Sequence, residues 1–238
     1  MIWITWTILV GNNLKRPPAV LFDWDDTLID NWESIHSALN KTLTAMGHET
    51  WPIERTRKQV RQSMRNSFPQ LFGDKWETAA DIFYDHIKAD HLQTLKRLPH
   101  AREILVTLND FGLPVGIVSN KTGYLLRAEV AYLGWDNFFT AIVGAGDAAQ
   151  DKPEPDPIYL CLNGSGIDSN ESGWPHVWFV GDAPSDLECA NKAGVTSVLL
   201  CKKPYPVEEF GDLEPKIHVE NLKSLESLFM NLKQTLLN

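Results

Sequence analysis

Four short polar segments of this chain stand where apolar runs stop, and they hold the residues best suited to chemistry. Asp23-Trp24-Asp25-Asp26-Thr27 follows Ala19–Phe22. Alternate residues of an extended segment point the same way, so Asp23 and Asp25 can face one site while Trp24 turns away and packs. Carboxylates so placed can hold a cation, attack an electrophile or move a proton, but aspartates also crowd turns and caps. Ser119-Asn120-Lys121-Thr122 follows the run 113–118 and reads as a polar step from strand to helix. There Ser119 can either donate to an anion or cap the helix. In Asp151-Lys152-Pro153-Glu154-Pro155-Asp156-Pro157, alternate prolines predict an extended, rigid loop that presents Lys152 as a fixed point charge. Asp156-Pro157 reads as a helix start. A solvated surface lysine is the ordinary alternative. Gly181-Asp182-Ala183-Pro184-Ser185-Asp186 follows 177–180 and adds two carboxylates, of which Asp186 is also placed to cap the next helix.

The runs at 19–22, 113–118, 140–143, 177–180 and 196–200 lack polar alternation, as expected of strands buried on both faces. Between them lie helical spacings: Ala101, Leu105 and Leu108 before Gly112; Leu126, Val130 and Leu133 before Gly134; and Leu187 and Ala190 before Gly194. Leu222, Leu225, Phe229, Leu232 and Leu236 mark a closing helix. Strand alternating with helix predicts an α/β fold, a Rossmann-like parallel sheet with helices on both faces. In such sheets ligands bind beyond the carboxyl ends of the strands, so the four polar segments can converge on one crevice. From about Asn31 to Arg97 only helical spacing is found, as at Ile35, Leu39, Leu43 and Met46. This predicts an inserted helical domain over 31–97, with the α/β core in 17–30 and 98–238. Residues 1–16 form an extension whose alternating Ile2, Ile4, Trp6 and Ile8 suggest an extra strand.

The chain has 238 residues, 43% hydrophobic and 22% charged, an ordinary globular composition. A formal charge of -9 disfavours nucleic-acid and anionic-membrane partners. The apolar start is shorter than a membrane span and lacks a signal-peptide pattern. Cys161, Cys189 and Cys201 are too few and scattered for a disulfide framework or a cysteine-rich zinc site, which fits a cytoplasmic protein. Arg61 and Arg65, four apart, read as one basic helix face, more ordinarily solvated than substrate-binding. The histidines lack metal-ligand spacing and read as surface or packing residues. Trp32 and Trp51 could stack on a substrate but read better as packing.

The ordered set of a DxDxT loop, a strand-end serine, a Lys-Pro pair and a GDxxxD loop resembles the haloacid dehalogenase superfamily. The helical insertion after the first loop narrows the resemblance to its phosphoglycolate-phosphatase-like branch. It covers nearly all of 19–201. It implies a phosphatase with Mg²⁺ held by the Asp23 and Asp182 carboxylates and the Asp25 backbone carbonyl, Asp186 being auxiliary. It further implies Asp23 as the nucleophile and Asp25 as acid and then base. Ser119, Asn120 and Lys152 would bind the phosphate of a small phosphorylated metabolite. The carboxyl at 25 disfavours dehalogenation. A phosphoglucomutase-like transfer would expect a histidine where Ile35 stands, with His36 one step late. A non-catalytic phosphate-binding module would not need the complete set. Two carboxylates 4 Å apart repel by about 4 kcal/mol at an effective dielectric near 20, so such a cluster calls for a cation or for protons. All-oxygen ligands select a hard ion.

Overall fold

The computed structural model describes residues 14–164, 174, 176–202 and 207–235. The strand expected within 1–10 lies outside them. Six parallel strands form the main sheet in the order β5-β4-β1-β6-β7-β8. They are β1 (Val20–Phe22), β4 (Val115–Thr122), β5 (Ala141–Ala145), β6 (Trp178–Gly181), β7 (Thr196–Leu200) and β8 (Ile217–Val219). The period of two along β1 divides the core. Val20 and Phe22 pack with α5 (Ala101–Asp110), α6 (Gly123–Tyr132) and α9 (Leu222–Thr235). Ala19 and Leu21 pack on the opposite face with α7 (Asp156–Gly164) and α8 (Pro184–Ala193). Both faces of the central strand are therefore apolar, and alternation is absent from its sequence for that reason.

Pairing is in register from Val20↔Val115 to Phe22↔Ile117 on one side of β1, and from Val20↔Trp178 to Phe22↔Val180 on the other. The chain leaves β1 towards β4 and β5, then crosses back to β6, which makes the carboxyl end of β1 the topological switch point of the sheet. Asp23 is the first residue past it.

Between β2 (Ile29–Asp30) and β3 (Lys96–Arg97) the chain builds α1 (Trp32–Ala45), α2 (Ile53–Gln59), α3 (Met64–Phe72) and α4 (Trp76–Asp90). These four helices bury an apolar cluster of their own, including Leu39, Leu43, Phe68, Phe72 and Phe83, joined by Leu125 of α6. β2 and β3 pair antiparallel, Ile29 with Arg97 and Asp30 with Lys96, so the outgoing and returning chains lie side by side.

Several local expectations need correction. The segment 31–97, read as purely helical, ends in the short strand β3, whose two residues carry no pattern of their own. Residues 119–122 continue β4, with a register shift between Val118 and Thr122, and are not a loop. Ser119 therefore does not cap α6, which starts at Gly123. The proline-rich segment is turned, with the Glu154 N–H bonding the Asp151 carbonyl at 2.9 Å. β8 was not anticipated, because three residues around a histidine are too short to show a period. Among the described residues, no helix is long and apolar enough to cross a membrane.

Candidate active site

The turn after β1 is built on one carbonyl. Trp24 O accepts the N–H groups of Thr27, Leu28 and Ile29 at 3.3, 2.9 and 3.1 Å. Asp26 closes the turn at φ 61°, a left-handed conformation that aspartate tolerates better than most residues. Trp24 is buried edge-to-face against Trp135 on the far side, which leaves Asp23 and Asp25 facing a common cavity.

That cavity, about 580 Å³, is lined by Asp23, Asp25, Ser119, Asn120, Lys152, Asp182 and Asp186 from the strand ends, and roofed by residues of the inserted helices. All seven residues singled out by sequence meet there. Lys152 is the centre: it is 2 % exposed, and its Nζ donates to Asp23 Oδ1 at 2.6 Å and to Asp186 Oδ1 at 2.7 Å. The ordinary reading of a solvated lysine is thereby excluded. Asp186 also takes the helix-start role foreseen for it, because its Oδ2 accepts the Ala183 N–H at 2.9 Å at the start of α8. Asp186 thus has a donor on each oxygen, as does Asp182, whose Oδ2 binds Arg61 Nη1 at 2.8 Å and whose Oδ1 accepts from Thr27 Oγ1 at 3.4 Å. Ser119 Oγ is buried and accepts the Lys121 N–H at 3.1 Å, so its hydroxyl hydrogen remains available to an anion. Asn120 Nδ2 donates to the Lys152 and Arg61 carbonyls at 3.0 and 3.3 Å, and its buried Oδ1 has no partner among the described residues.

Charge is crowded. Burial pushes the Asp23 carboxyl up to about 7, opposed by Lys152 and aided by Asp186. Burial, then Asp186, raises Asp182 well above the usual range against the pull of Arg61. Asp25 is pushed up to about 6, where burial outweighs the attraction of Lys121 and Glu129 adds repulsion. Lys152 loses to burial, but Asp186 and then Asp23 more than compensate, and it stays a cation. Carboxylate oxygens of Asp23, Asp182 and Asp186 all lie within 4.8 Å of one another. An all-oxygen set in which Asp23 and Asp182 are driven toward protonation fits a hard divalent ion, which would relieve that repulsion.

Gly181 makes the close packing possible. A Cβ there would stand 2.4 Å from Asp186 Cγ, closer than atoms can approach. Gly181→Ala is therefore expected to displace Asp186 and loosen Lys152, lowering stability by about 1–3 kcal/mol as overpacking does. A urea-midpoint comparison with the wild type checks this.

Some residues at the site were misread or missed. Arg61 and Arg65 do not share a helix face: α2 ends at Gln59, α3 begins at Met64, and Arg61 lies in the break. They are also not a solvated pair. Arg61 Nη1 binds Asp182 Oδ2 at 2.8 Å, and Arg65 grips Asp151 through two hydrogen bonds, so both fasten the inserted helices over the strand-end loops. Lys121 and Glu129 were given no role, yet Lys121 Nζ contacts Asp25 Oδ1 at 2.9 Å and both oxygens of Glu129. A signal existed, since Glu129 interrupts the apolar stripe of Leu125, Leu126 and Val130. His91 is a packing residue with a polar task, its Nδ1 lying 2.9 Å from Glu129 Oε1. His36 bonds Thr56 and Asn40 among the inserted helices. Trp32 is buried in the helical cluster, while Trp51 is partly buried beside it, under the Arg55 guanidinium.

Residues 20–200 match the haloacid dehalogenase-like hydrolase family, and the chain belongs to it. It is an enzyme of the phosphatase type within that family. A phosphoglycolate phosphatase of Aquifex aeolicus is 29% identical over 182 residues, covering 76% of this chain and 83% of the relative. Another from Yersinia pestis is 27% identical over 237 residues, covering 89% and 98%. A haloacid dehalogenase-like hydrolase from Streptococcus pneumoniae superposes with a TM-score of 0.76 at 20% identity, covering 89% of this chain and 97% of that one, a likeness of fold.

Proposed function

We propose that this phosphatase is a Mg²⁺-dependent phosphomonoester hydrolase that works through an aspartyl-phosphate on Asp23 and acts on a small phosphorylated metabolite in the cytoplasm. The observation that carries the reading is the ammonium of Lys152, fixed between Asp23 and Asp186 with Asp182 alongside, in the cavity beneath the inserted helices. A buried nucleophilic carboxylate beside a buried cation is the arrangement that attack on an anionic phosphate needs. The carboxylates of Asp23 and Asp182 and the carbonyl of Asp25 would hold the ion, whose charge would lower the repulsion between carboxylate and phosphate.

The steps that fall to the chain are these. Asp23 attacks phosphorus, and the bond to the leaving oxygen breaks as Asp25 gives that oxygen its proton. The alcohol departs, leaving the phosphoryl group on Asp23. A water then attacks phosphorus and loses a proton to Asp25, releasing inorganic phosphate and restoring both carboxyls. Lys152 and the Ser119 hydroxyl bind phosphate oxygens throughout, and the free Oδ1 of Asn120 accepts from a substrate or water O–H. An Asp25 carboxyl titrating at about 6 is suited to giving and taking a proton near neutrality. Residues 31–97 act as a cap that excludes water and bounds the leaving group.

The names of the relatives point to phosphoglycolate. The cavity also has room for sugar phosphates. Phosphate release is to be measured from phosphoglycolate, sugar phosphates, nucleoside monophosphates and pyrophosphate, each with Mg²⁺ and with chelator. Release from an ester that stops on chelation is the expected result. Metal-independent release would remove Mg²⁺ from the reading. Transfer within a sugar phosphate without release would indicate a mutase.

A further inference from the structure

Glu129 is wholly buried on α6, yet it stands among leucines and a valine. A lone carboxylate there would be very costly, and an apolar residue would serve stability as well or better. Its two oxygens are instead saturated. Oε2 accepts from Trp24 Nε1 at 2.7 Å and from Lys121 Nζ at 2.8 Å. Oε1 accepts from Asn31 Nδ2 at 2.8 Å and from Lys121 Nζ at 2.9 Å, and meets His91 Nδ1 at 2.9 Å. Asn31 Oδ1 in turn accepts from Thr94 Oγ1 at 3.1 Å. Asn31 lies on the chain leaving the core for the inserted helices, and His91 and Thr94 on the chain returning. The remaining bond of Lys121 goes to Asp25 Oδ1 at 2.9 Å, while Asp25 Oδ2 takes no hydrogen bond from the described residues and Asp25 lines the cavity.

We infer that Lys121 and Glu129 are positioning residues that hold Asp25 by one oxygen, turn the other toward the leaving group, and tie that orientation to both crossings into the inserted helices. Every donor of Lys121 is committed, so the ammonium cannot swing without breaking contact with Glu129. Trp24, adjacent to Asp25 in the chain, is anchored on the same carboxylate. The turn that carries Asp25 is thus held at both its backbone and its side chain. The inference rests on the reading of Asp25 as the group that protonates the leaving oxygen.

The test uses full-length enzyme with Mg²⁺ and two esters of nearly equal shape, 4-nitrophenyl phosphate and phenyl phosphate. The first releases an oxygen that needs little protonation, the second one that needs more. The value of kcat/KM reports the steps through alcohol release, where the proton is given. Lys121→Met and Glu129→Gln are expected to depress phenyl phosphate at least about tenfold more than 4-nitrophenyl phosphate, a fraction of what proton transfer contributes. Asp25→Asn is the reference and is expected to show the same selectivity, more strongly. Equal losses on both esters in Lys121→Met, beside a selective Asp25→Asn, would reduce the network to a structural role and overturn the inference alone. An unselective Asp25→Asn would overturn the proton-donor reading and the inference with it. Where Lys121→Met does not fold, Lys121→Met with Glu129→Gln, which removes both charges, is read in the same assay with the same two outcomes.

Discussion

Asp23→Asn is expected to lower kcat by about 10⁴-fold or more, the scale on which loss of a nucleophile is felt, while the protein remains folded. The amide keeps the size of the carboxyl but cannot attack phosphorus, and Lys152 keeps its second partner, Asp186. The sign of the effect on stability follows from the direction of the shift. A carboxyl whose folded value is raised from its usual 3.8 to about 7 binds more protons folded than unfolded, so it destabilises the fold as pH rises through that window. In chelator, the wild type should therefore lose stability between roughly pH 4 and 7, and Asp23→Asn should be spared that part of the loss. Thermal midpoints of the two proteins across that range, alongside a steady-state assay, measure both halves of the expectation.

Lys152→Met is expected to be worse for the protein than for any single step. It leaves Asp23 and Asp186 facing each other with no buried cation between them. Breaking a buried ion pair by deleting one partner costs about 3–5 kcal/mol. Asp23, which Lys152 now helps to keep ionised, should take up a proton to lessen it, and this removes the nucleophile as well. The activity loss should therefore reach about 10²-fold or more, as for loss of a fixed group that stabilises transition-state charge. Denaturant midpoints with and without Mg²⁺ distinguish the two contributions. Partial restoration of stability by Mg²⁺ is expected, since a bound ion would offset some of the missing charge. Unchanged stability in either condition would mean that the Lys152 contacts are not what holds the site together.

The site was legible where function follows from the end of a strand. Asp23, Ser119 and Asp182 are each reached within two residues of an apolar run, and a run buried on both faces is the easiest strand to read. Lys152 needed more than its own segment: prolines alone did not separate a held lysine from a solvated one, and the predicted extended loop is a turn. What made it readable was the order of all four segments. The helical insertion was visible as a change of period, but its internal break between Val60 and Ser63 was not, because neither glycine nor proline marks it. Arg61 and Arg65 consequently looked like one solvated face. Strands of two or three residues, β2, β3 and β8, fall below the length at which a period can be counted. The Glu129 network depends on contacts between residues up to 105 positions apart. A charged residue within an apolar helical stripe gave its only local sign. Asp25 shows the same limit: its spacing from Asp23 was plain, but the lysine that holds it lies on another strand.

The central claim, that Asp23 carries the phosphoryl group between two half-reactions, is tested most directly by trapping it there. Enzyme with Mg²⁺ is mixed with a turned-over ester, quenched in acid within one turnover, digested, and mapped by mass spectrometry. A single added phosphoryl group on the peptide holding Asp23, labile to hydroxylamine and absent from Asp23→Asn, is the expected result. An active enzyme that never shows this adduct in a time course spanning the first turnover, or that shows it on another residue, would contradict the assignment.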